Sequence, residues 1–287
     1  AEGRRLHITH MQFSAYKPTK GRPFVSSAKE LAEYVNANPN ITMDVGQVVF
    51  GPAVTMTADA PLQHSLHTLT KERWVNKEIE METQSGIVPL TYRKRSYAGA
   101  IQWIAGLELF LMIENPWQIS LTTDHPNGGP FTAYPWVIRL LMDRGYREEV
   151  AETVNKRALG SSELPELTRE YTLEEIAIIT RAGPAKTLGL ANKGHLGIGA
   201  DADIAIYRPN SDFEAMFSQA AYVLKGGEIV VREGEVVSET FGKTYIPALP
   251  EQKDVTPWLS PMFSRLYSIA FENYGVEKEK YMPCEVV

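Results

Sequence analysis

The side chains best suited to chemistry lie in one short loop, residues 121–130 (LTTDHPNGGP). Asp124 and His125 belong to residue types that act as general acids and bases, and Asn127 offers an amide for binding a formyl or carboxylate group. The two glycines that follow would let a ligand approach the backbone closely. The loop therefore predicts a reaction site, although the same residues also make good turns, and a purely structural loop stays open.

The elements on either side of this loop predict where it lies in the fold. Residues 118–122 (QISLT) follow a turn and are typical of a short buried strand, and the apolar residues 136–142 predict a helix. Strand, loop and helix together form the repeating unit of an α/β barrel. In such barrels the reactive groups follow the strands, which is where Asp124 and His125 lie.

Two further strands and two helices are predicted before this unit. Residues 6–13 (LHITHMQF) alternate with a period of two, which places His7 and His10 on opposite faces of a strand, and residues 41–50 form the next strand. A capping box predicts a helix over residues 27–38, and residues 97–113 predict a buried helix. The long stretch between, residues 51–96, has no clean period and predicts an excursion of the kind that is usually functional.

The second half predicts a change of architecture. A second capping box at Thr172 begins a helix that runs through Arg181 and bends at Gly183 and Pro184. Glycine turns and short apolar strands then predict a small β module. The domains predicted are an α/β barrel portion at 1–190 with the 51–96 insertion, a β module at 191–247, and a tail at 248–287 that packs on the barrel or on a partner.

Composition limits the classes of function. The chain has 287 residues, 44% hydrophobic and 22% charged, and a net charge of −6 without a Lys/Arg cluster, which argues against binding nucleic acid. The longest apolar run carries Gln102 and Glu108 and is too short for a membrane span. A single cysteine, Cys284, fits the reducing cytoplasm and excludes a thiolate metal cluster within this chain.

Several segments resemble a known enzyme superfamily. RAGPAKTLGL (181–190) followed by GHLGIGADAD (194–203) resembles the closing segment of metal-dependent amidohydrolases. Within them, HITHMQF (7–13), MTAD (56–59), TDHPNGGP (123–130) and REYTLEEI (169–176) are similar to the A-subunit family of formylmethanofuran dehydrogenases and its relative in methylotroph formyltransferase/hydrolase complexes. The resemblance covers nearly the whole chain.

This resemblance implies a TIM-like barrel with a small β-sandwich and a binuclear zinc site at the strand ends. Asp124 matches the aspartate that binds zinc and moves the proton, and His10 matches a zinc-binding histidine best, with His7 second. Imidazole and carboxylate are ligands that zinc accepts. The implied reaction interconverts N-formylmethanofuran with formate and methanofuran. The implied partner is a molybdenum or tungsten pterin subunit, while this chain itself holds no pterin or iron–sulfur cluster.

The remaining zinc ligands of the family have no counterpart here. His64 and His67 could be an added metal pair but fit solvated loop or substrate contacts better, and His195 in a glycine-rich turn is expected to be structural. With three barrel strands predicted, we expect the chain to be the C-terminal part of the enzyme's hydrolytic subunit, completed by an N-terminal part. Another cyclic-amide amidohydrolase and a non-catalytic scaffold remain as alternatives.

Overall fold

The structure is a computed structural model, which describes residues 5–20, 22–57, 64–65, 67–69, 71, 86–246, 256–266, 271 and 283–286. Residues 58–63, 66, 70 and 72–85 of the predicted 51–96 insertion, and most of the 248–287 tail, therefore lie outside the described residues. The strands in chain order are β1 (Leu6–Ile8), β2 (Tyr16–Thr19), β3 (Arg22–Ser26), β4 (Ile41–Asp44), β5 (Gly51–Thr57), β6 (Gly86–Tyr92), β7 (Ile119–Ser120), β8 (Ile204–Tyr207), β9 (Ala220–Lys225), β10 (Glu228–Arg232), β11 (Glu235–Val236), β12 (Thr244–Ile246) and β13 (Cys284–Val286).

The helices with at least one full turn are interspersed among these strands. They are Ala28–Ala37, Tyr97–Met112, Tyr134–Met142, Arg144–Glu152, Lys156–Leu159, Leu173–Ala177, the π-helical Ile178–Ala182, Gly183–Thr187, Phe213–Ser218 and Thr256–Leu266. None of the described helices is long and apolar enough to cross a membrane.

A three-stranded parallel sheet forms the frame of the first half. β4 lies in the middle and pairs in parallel with β1 on one side and with β7 on the other. Because all three strands run the same way, their carboxyl ends lie at one edge of the sheet. The three predicted strands are thus present in the described chain, and within those residues they form no closed barrel.

Two of the predicted strands are shorter than expected. Residues 6–13 were predicted as one strand, but the strand ends at Ile8, because His10 adopts a left-handed conformation (φ 52°) and a 3₁₀ turn follows over Met11–Ser14. The predicted strand over 41–50 ends at Asp44, and Gly46 follows with a φ of 89°. The apolar pattern continued because turn residues such as Met11 and Val48 are buried too.

The Tyr97–Met112 helix lies in the core, as its largely apolar sequence predicted. Every residue from 98 to 111 is buried. Gly106 lets the helix lie against the segment that follows β4, since a Cβ there would come within 3.1 Å of the Val48 side chain. Each fully buried large side chain contributes about 1.5–3 kcal/mol of hydrophobic stabilisation. The helix thereby supports the segment that follows β4.

The helix after the second capping box differs from its prediction at the C-terminal end. Thr172 and Glu175 form both hydrogen bonds of the capping box. The predicted bend at Gly183 and Pro184 is instead a wider π-helical turn, Ile178–Ala182, after which the helix continues over Gly183–Thr187. A widened turn accommodates Pro184, which lacks a backbone N–H.

The β module contains a four-stranded antiparallel sheet in the order β11–β10–β9–β8. Asp203, just before β8, accepts hydrogen bonds from Lys193 Nζ at 2.6 Å, Lys225 Nζ at 2.7 Å and the Gly226 N–H at 2.9 Å. This cluster joins the loop before β8 to the turn between β9 and β10. β12 and β13 form a separate parallel pair.

Candidate metal and acid–base site

His10 lies just beyond the carboxyl end of β1. Its left-handed backbone turns the imidazole back over the sheet edge, toward the segment that follows β4. Gly46 makes room for it, because a Cβ at that position would lie 3.2 Å from His10 Cβ. The imidazole is 29% exposed, so it is sheltered but reachable.

Asp44, the last residue of β4, holds His10 in place. Its Oδ1 atom accepts a hydrogen bond from His10 Nδ1 at 2.5 Å and from the His10 backbone N–H at 3.0 Å. Asp44 is only 5% exposed. With Nδ1 used in this way, the other ring nitrogen, Nε2, faces Asp124.

Asp124 faces that second nitrogen. Its Oδ1 atom lies 3.2 Å from His10 Nε2, and its backbone is left-handed with a φ of 51°. The Asp124–Gly129 loop is closed by a hydrogen bond from the Gly128 N–H to the Asp124 carbonyl at 2.6 Å and one from Thr123 Oγ1 to the Gly129 carbonyl at 3.2 Å. A Cβ on Gly128 would come within 2.8 Å of Asp124 Cβ, so glycine is needed for this closure.

The electrostatics of this arrangement favour a positive charge. Hydrogen bonds to Asp124 and then to Asp44 raise the pKa of His10 to about 9, against the opposing effect of burial. Burial would raise the pKa of Asp44, but hydrogen bonds and charge attraction from His10 outweigh it, and that pKa lies below its ordinary value. An imidazole between two carboxylates marks a place where a cation is stabilised.

The geometry of His10 and Asp124 fits two ligands of one zinc ion. At zinc–ligand distances of about 2.0–2.1 Å, two corners of a tetrahedron are about 3.3 Å apart. The observed 3.2 Å between Nε2 and Oδ1 agrees with this spacing. Among the described residues, however, no group of three or more His, Cys, Asp or Glu side chains could hold a metal ion. The described residues would therefore supply two zinc ligands, His10 and Asp124.

His7 lies beside this pair. Strand parity had instead predicted that His7 and His10 lie on opposite faces of the strand. Its Nε2 atom is 3.2 Å from Asp44 Oδ2, and its Nδ1 atom is 2.9 Å from Thr42 Oγ1. The parity argument is wrong because the strand ends at Ile8. Both ring nitrogens of His7 have protein partners, which fits a hydrogen-bonded role better than a role as ligand.

His125 and Asn127 lie on the outer side of the same loop. Both side chains are exposed, and the His125 ring packs edge-on against Phe131 with ring centres 4.9 Å apart. Phe131 is itself 60% exposed. The structure therefore brings His10 into contact with both Asp44 and Asp124, whereas the two predicted substrate-binding side chains lie exposed on the same loop as Asp124.

His195 makes its hydrogen bonds within its own turn. His195 donates from Nε2 to the Ala191 carbonyl at 2.9 Å and accepts at Nδ1 from the Gly197 N–H at 3.1 Å. These contacts organise the glycine-rich turn, as expected of a structural residue. His64 and His67 are described, and neither belongs to a metal-binding group among the described residues.

Sequence reasoning missed Asp44 and Thr122. Thr122 Oγ1 donates to Asp44 Oδ1 at 2.9 Å and accepts from the Gly46 N–H at 2.9 Å. Asp44 was hidden inside a strand predicted to run to residue 50. A signal was present, since Asp44 precedes Gly46 and reactive carboxylates follow parallel strands.

A parallel sheet with a histidine and aspartates beyond its carboxyl ends is an α/β arrangement in which reactive side chains follow the strands. The profile of the amidohydrolase family matches residues 1–235. The chain belongs to this amidohydrolase family.

Two curated relatives and one solved structure are similar to this chain. It is 46% identical over 283 residues to protein FwdA of Methanocaldococcus jannaschii, covering 94% of this chain and 50% of that protein. It is 47% identical over 251 residues to the A component of the formyltransferase/hydrolase complex Fhc of Methylorubrum extorquens, covering 85% of this chain and 45% of that protein.

The solved structure is the formyltransferase/hydrolase complex FhcABCD from Methylorubrum extorquens in complex with methylofuran. The match has a TM-score of 0.85 at 40% identity and covers 100% of this chain and 54% of that chain. The resemblance predicted from the sequence is confirmed. The chain spans about half the length of the relatives that it matches.

Proposed function

We propose that this chain is part of the hydrolytic subunit of a formylmethanofuran dehydrogenase-type complex. The reaction is the zinc-dependent interconversion of an N-formylated furan carrier with formate and the free amine. The observation that carries the proposal is the 3.2 Å contact between His10 Nε2 and Asp124 Oδ1 at the carboxyl edge of the parallel sheet.

His10 and Asp124 are the residues of this chain that would hold zinc. Bound zinc lowers the pKa of its water toward neutrality and polarises the formyl oxygen. His10 contributes Nε2, because Asp44 occupies Nδ1. We propose that the remaining zinc ligands belong to the part of the relatives that this chain does not span.

Asp124 is proposed to move the proton. In the hydrolytic direction, its carboxylate accepts a proton from the attacking water as the new C–O bond forms at the formyl carbon. It then gives this proton to the amine nitrogen as the C–N bond breaks, so that the products are formate and the amine. Its side chain is 17% exposed, so the carboxylate can exchange protons with water and substrate.

His125 and Asn127 are proposed to orient the substrate. Both are exposed beside Asp124 and carry groups that can hydrogen-bond to a formyl or carboxylate oxygen. The formyltransferase/hydrolase name of one relative and the methylofuran bound in the solved complex support this substrate class.

The same relatives support a setting with several different polypeptides. The solved chain that is similar to this one belongs to the FhcABCD complex, whose name lists four components. As partners we propose the N-terminal part of the same hydrolytic subunit, together with a molybdenum or tungsten pterin subunit in a dehydrogenase complex. Formate would pass between the two sites.

The test is an assay of the full-length protein, alone and with its partner polypeptides, on an N-formylated furfurylamine and on a cyclic amide. Zinc-dependent release of formate from the formylamine supports the proposal. Hydrolysis of the cyclic amide alone would favour another amidohydrolase, and zinc-free, inactive protein that still assembles the complex would favour a scaffold.

A further inference from the structure

Asp44 lies between the two segments that carry His10 and Asp124. It ends β4, the middle strand of the parallel sheet, and is 5% exposed. Residues from the ends of both neighbouring strands donate to it, so its position decides how those ends are arranged.

The Oδ1 atom of Asp44 receives three donors. These are the backbone N–H and the Nδ1 atom of His10, at 3.0 and 2.5 Å, and Thr122 Oγ1 at 2.9 Å. An ionised carboxylate only accepts hydrogen bonds, so the proton of a neutral His10 must lie on Nδ1. The lone pair then lies on Nε2, the atom that faces Asp124.

The same carboxylate also acts on the segment that leads to Asp124. Thr122, two residues before Asp124, is fixed between Asp44 Oδ1 and the Gly46 N–H. The remaining oxygen, Oδ2, contacts His7 Nε2 at 3.2 Å. Because both oxygens already have partners within the chain, Asp44 is suited to position ligands rather than to be one.

We infer that Asp44 is a positioning residue that sets the ring orientation and tautomer of His10 and the placement of Asp124 for metal binding. The inference rests on the proposed function in that His10 and Asp124 are the zinc ligands. Mutating the hydrogen-bond partner of a metal-binding histidine typically lowers metal affinity by about 10- to 100-fold.

The test compares zinc affinity, by chelator competition, and the visible spectrum of the cobalt(II)-substituted form of the full-length protein. Asp44→Ala should lower zinc affinity about 10- to 100-fold and alter the cobalt bands, because His10 loses its acceptor. Asp44→Asn keeps an oxygen that can accept from Nδ1, so its loss should be smaller, with the cobalt bands still shifted by the missing charge.

Glu108→Gln is the matched control. Glu108 is 1% exposed and also accepts from a side chain and a backbone N–H, namely Ser26 and Glu163, but it has no contact with the site. The Glu108→Gln substitution should leave zinc affinity and the cobalt spectrum unchanged. Any loss of thermal stability common to Glu108→Gln and Asp44→Asn then reports burial alone.

Zinc affinity and cobalt bands of Asp44→Asn and Asp44→Ala equal to those of the unsubstituted protein would overturn the inference. If Asp44→Ala does not fold, Asp44→Asn decides by its cobalt spectrum, since unchanged bands would overturn the inference. Failure of the unsubstituted protein to release formate while its zinc affinity still depends on Asp44 would instead count against the proposed function alone.

Discussion

The Nε2 atom of His10 lies 3.2 Å from the Oδ1 atom of Asp124, although one residue follows the first strand of the parallel sheet and the other follows the third. The middle strand makes this possible, because Asp44 at its end reaches both sides. At this distance the two side chains can share a proton as a hydrogen bond, and in the proposed function the same two atoms would bind one zinc ion.

The first prediction concerns proton transfer by Asp124. Asp124→Asn keeps the size of the side chain but removes its basicity, so kcat for formylamine hydrolysis should fall by about 10²-fold or more. The fold should remain, because the loop is closed by the backbone and by Thr123. Circular dichroism and steady-state kinetics check this, and near-normal turnover would show that Asp124 is not the proton shuttle.

The second prediction concerns metal binding by His10. His10→Ala deletes a proposed zinc ligand and should lower zinc affinity by more than the roughly 10- to 100-fold expected for an outer partner. Elemental analysis after dialysis should show this as a lower zinc occupancy. His195→Ala is the matched control, since both of its ring nitrogens bond to a distant turn. Equal zinc content in the two variants would make His10 a packed residue of the site wall.

The third prediction concerns substrate orientation. His125→Ala and Asn127→Ala each remove an exposed donor beside Asp124 and should raise KM about 2- to 12-fold, the equivalent of about 0.5–1.5 kcal/mol for one hydrogen bond. Thr132→Ala, an exposed residue just beyond the loop, is the control. Unaltered kinetic constants in both loop variants would leave them as turn formers.

The elements on either side of the 121–130 loop could be predicted because the information for them is local in the sequence. A strand, a polar loop with two glycines and an amphipathic helix follow one another, and the structure has Ile119–Ser120, the loop and Tyr134–Met142 in that order. The buried helix over residues 97–113 was also predictable, since an apolar run without a polar face must be surrounded by protein.

The relationship between His7, His10 and Asp44 could not be predicted in the same way. It depends on where two strands end, and the apolar alternation continues past both ends because the following turns are buried. The left-handed backbone of His10 is a tertiary effect, made possible by space at Gly46. Periodicity describes which residues are buried and does not distinguish a buried turn from a strand.

The last prediction concerns the β module and acid stability. Although partial burial would raise it, hydrogen bonds from Lys193, Lys225 and the Gly226 N–H hold the pKa of Asp203 well below its ordinary value. A carboxyl whose pKa is lower in the folded than in the unfolded state stabilises the fold above the unfolded pKa of about 3.9. That contribution is lost as the pH falls toward the folded pKa.

Asp203→Asn should therefore lower the free energy of unfolding by about 1–2 kcal/mol at pH 7, as expected for charge-assisted hydrogen bonds that are partly exposed. The difference from the unsubstituted protein should stay constant from pH 7 to pH 5 and shrink below about pH 4. Asp201→Asn is the control, because Asp201 bonds to the same Lys193 but is 45% exposed, and its effect should be under about 1 kcal/mol. Urea unfolding at a series of pH values measures both variants, and a difference for Asp203→Asn that persists undiminished at pH 2 would show that its charge does not stabilise the module.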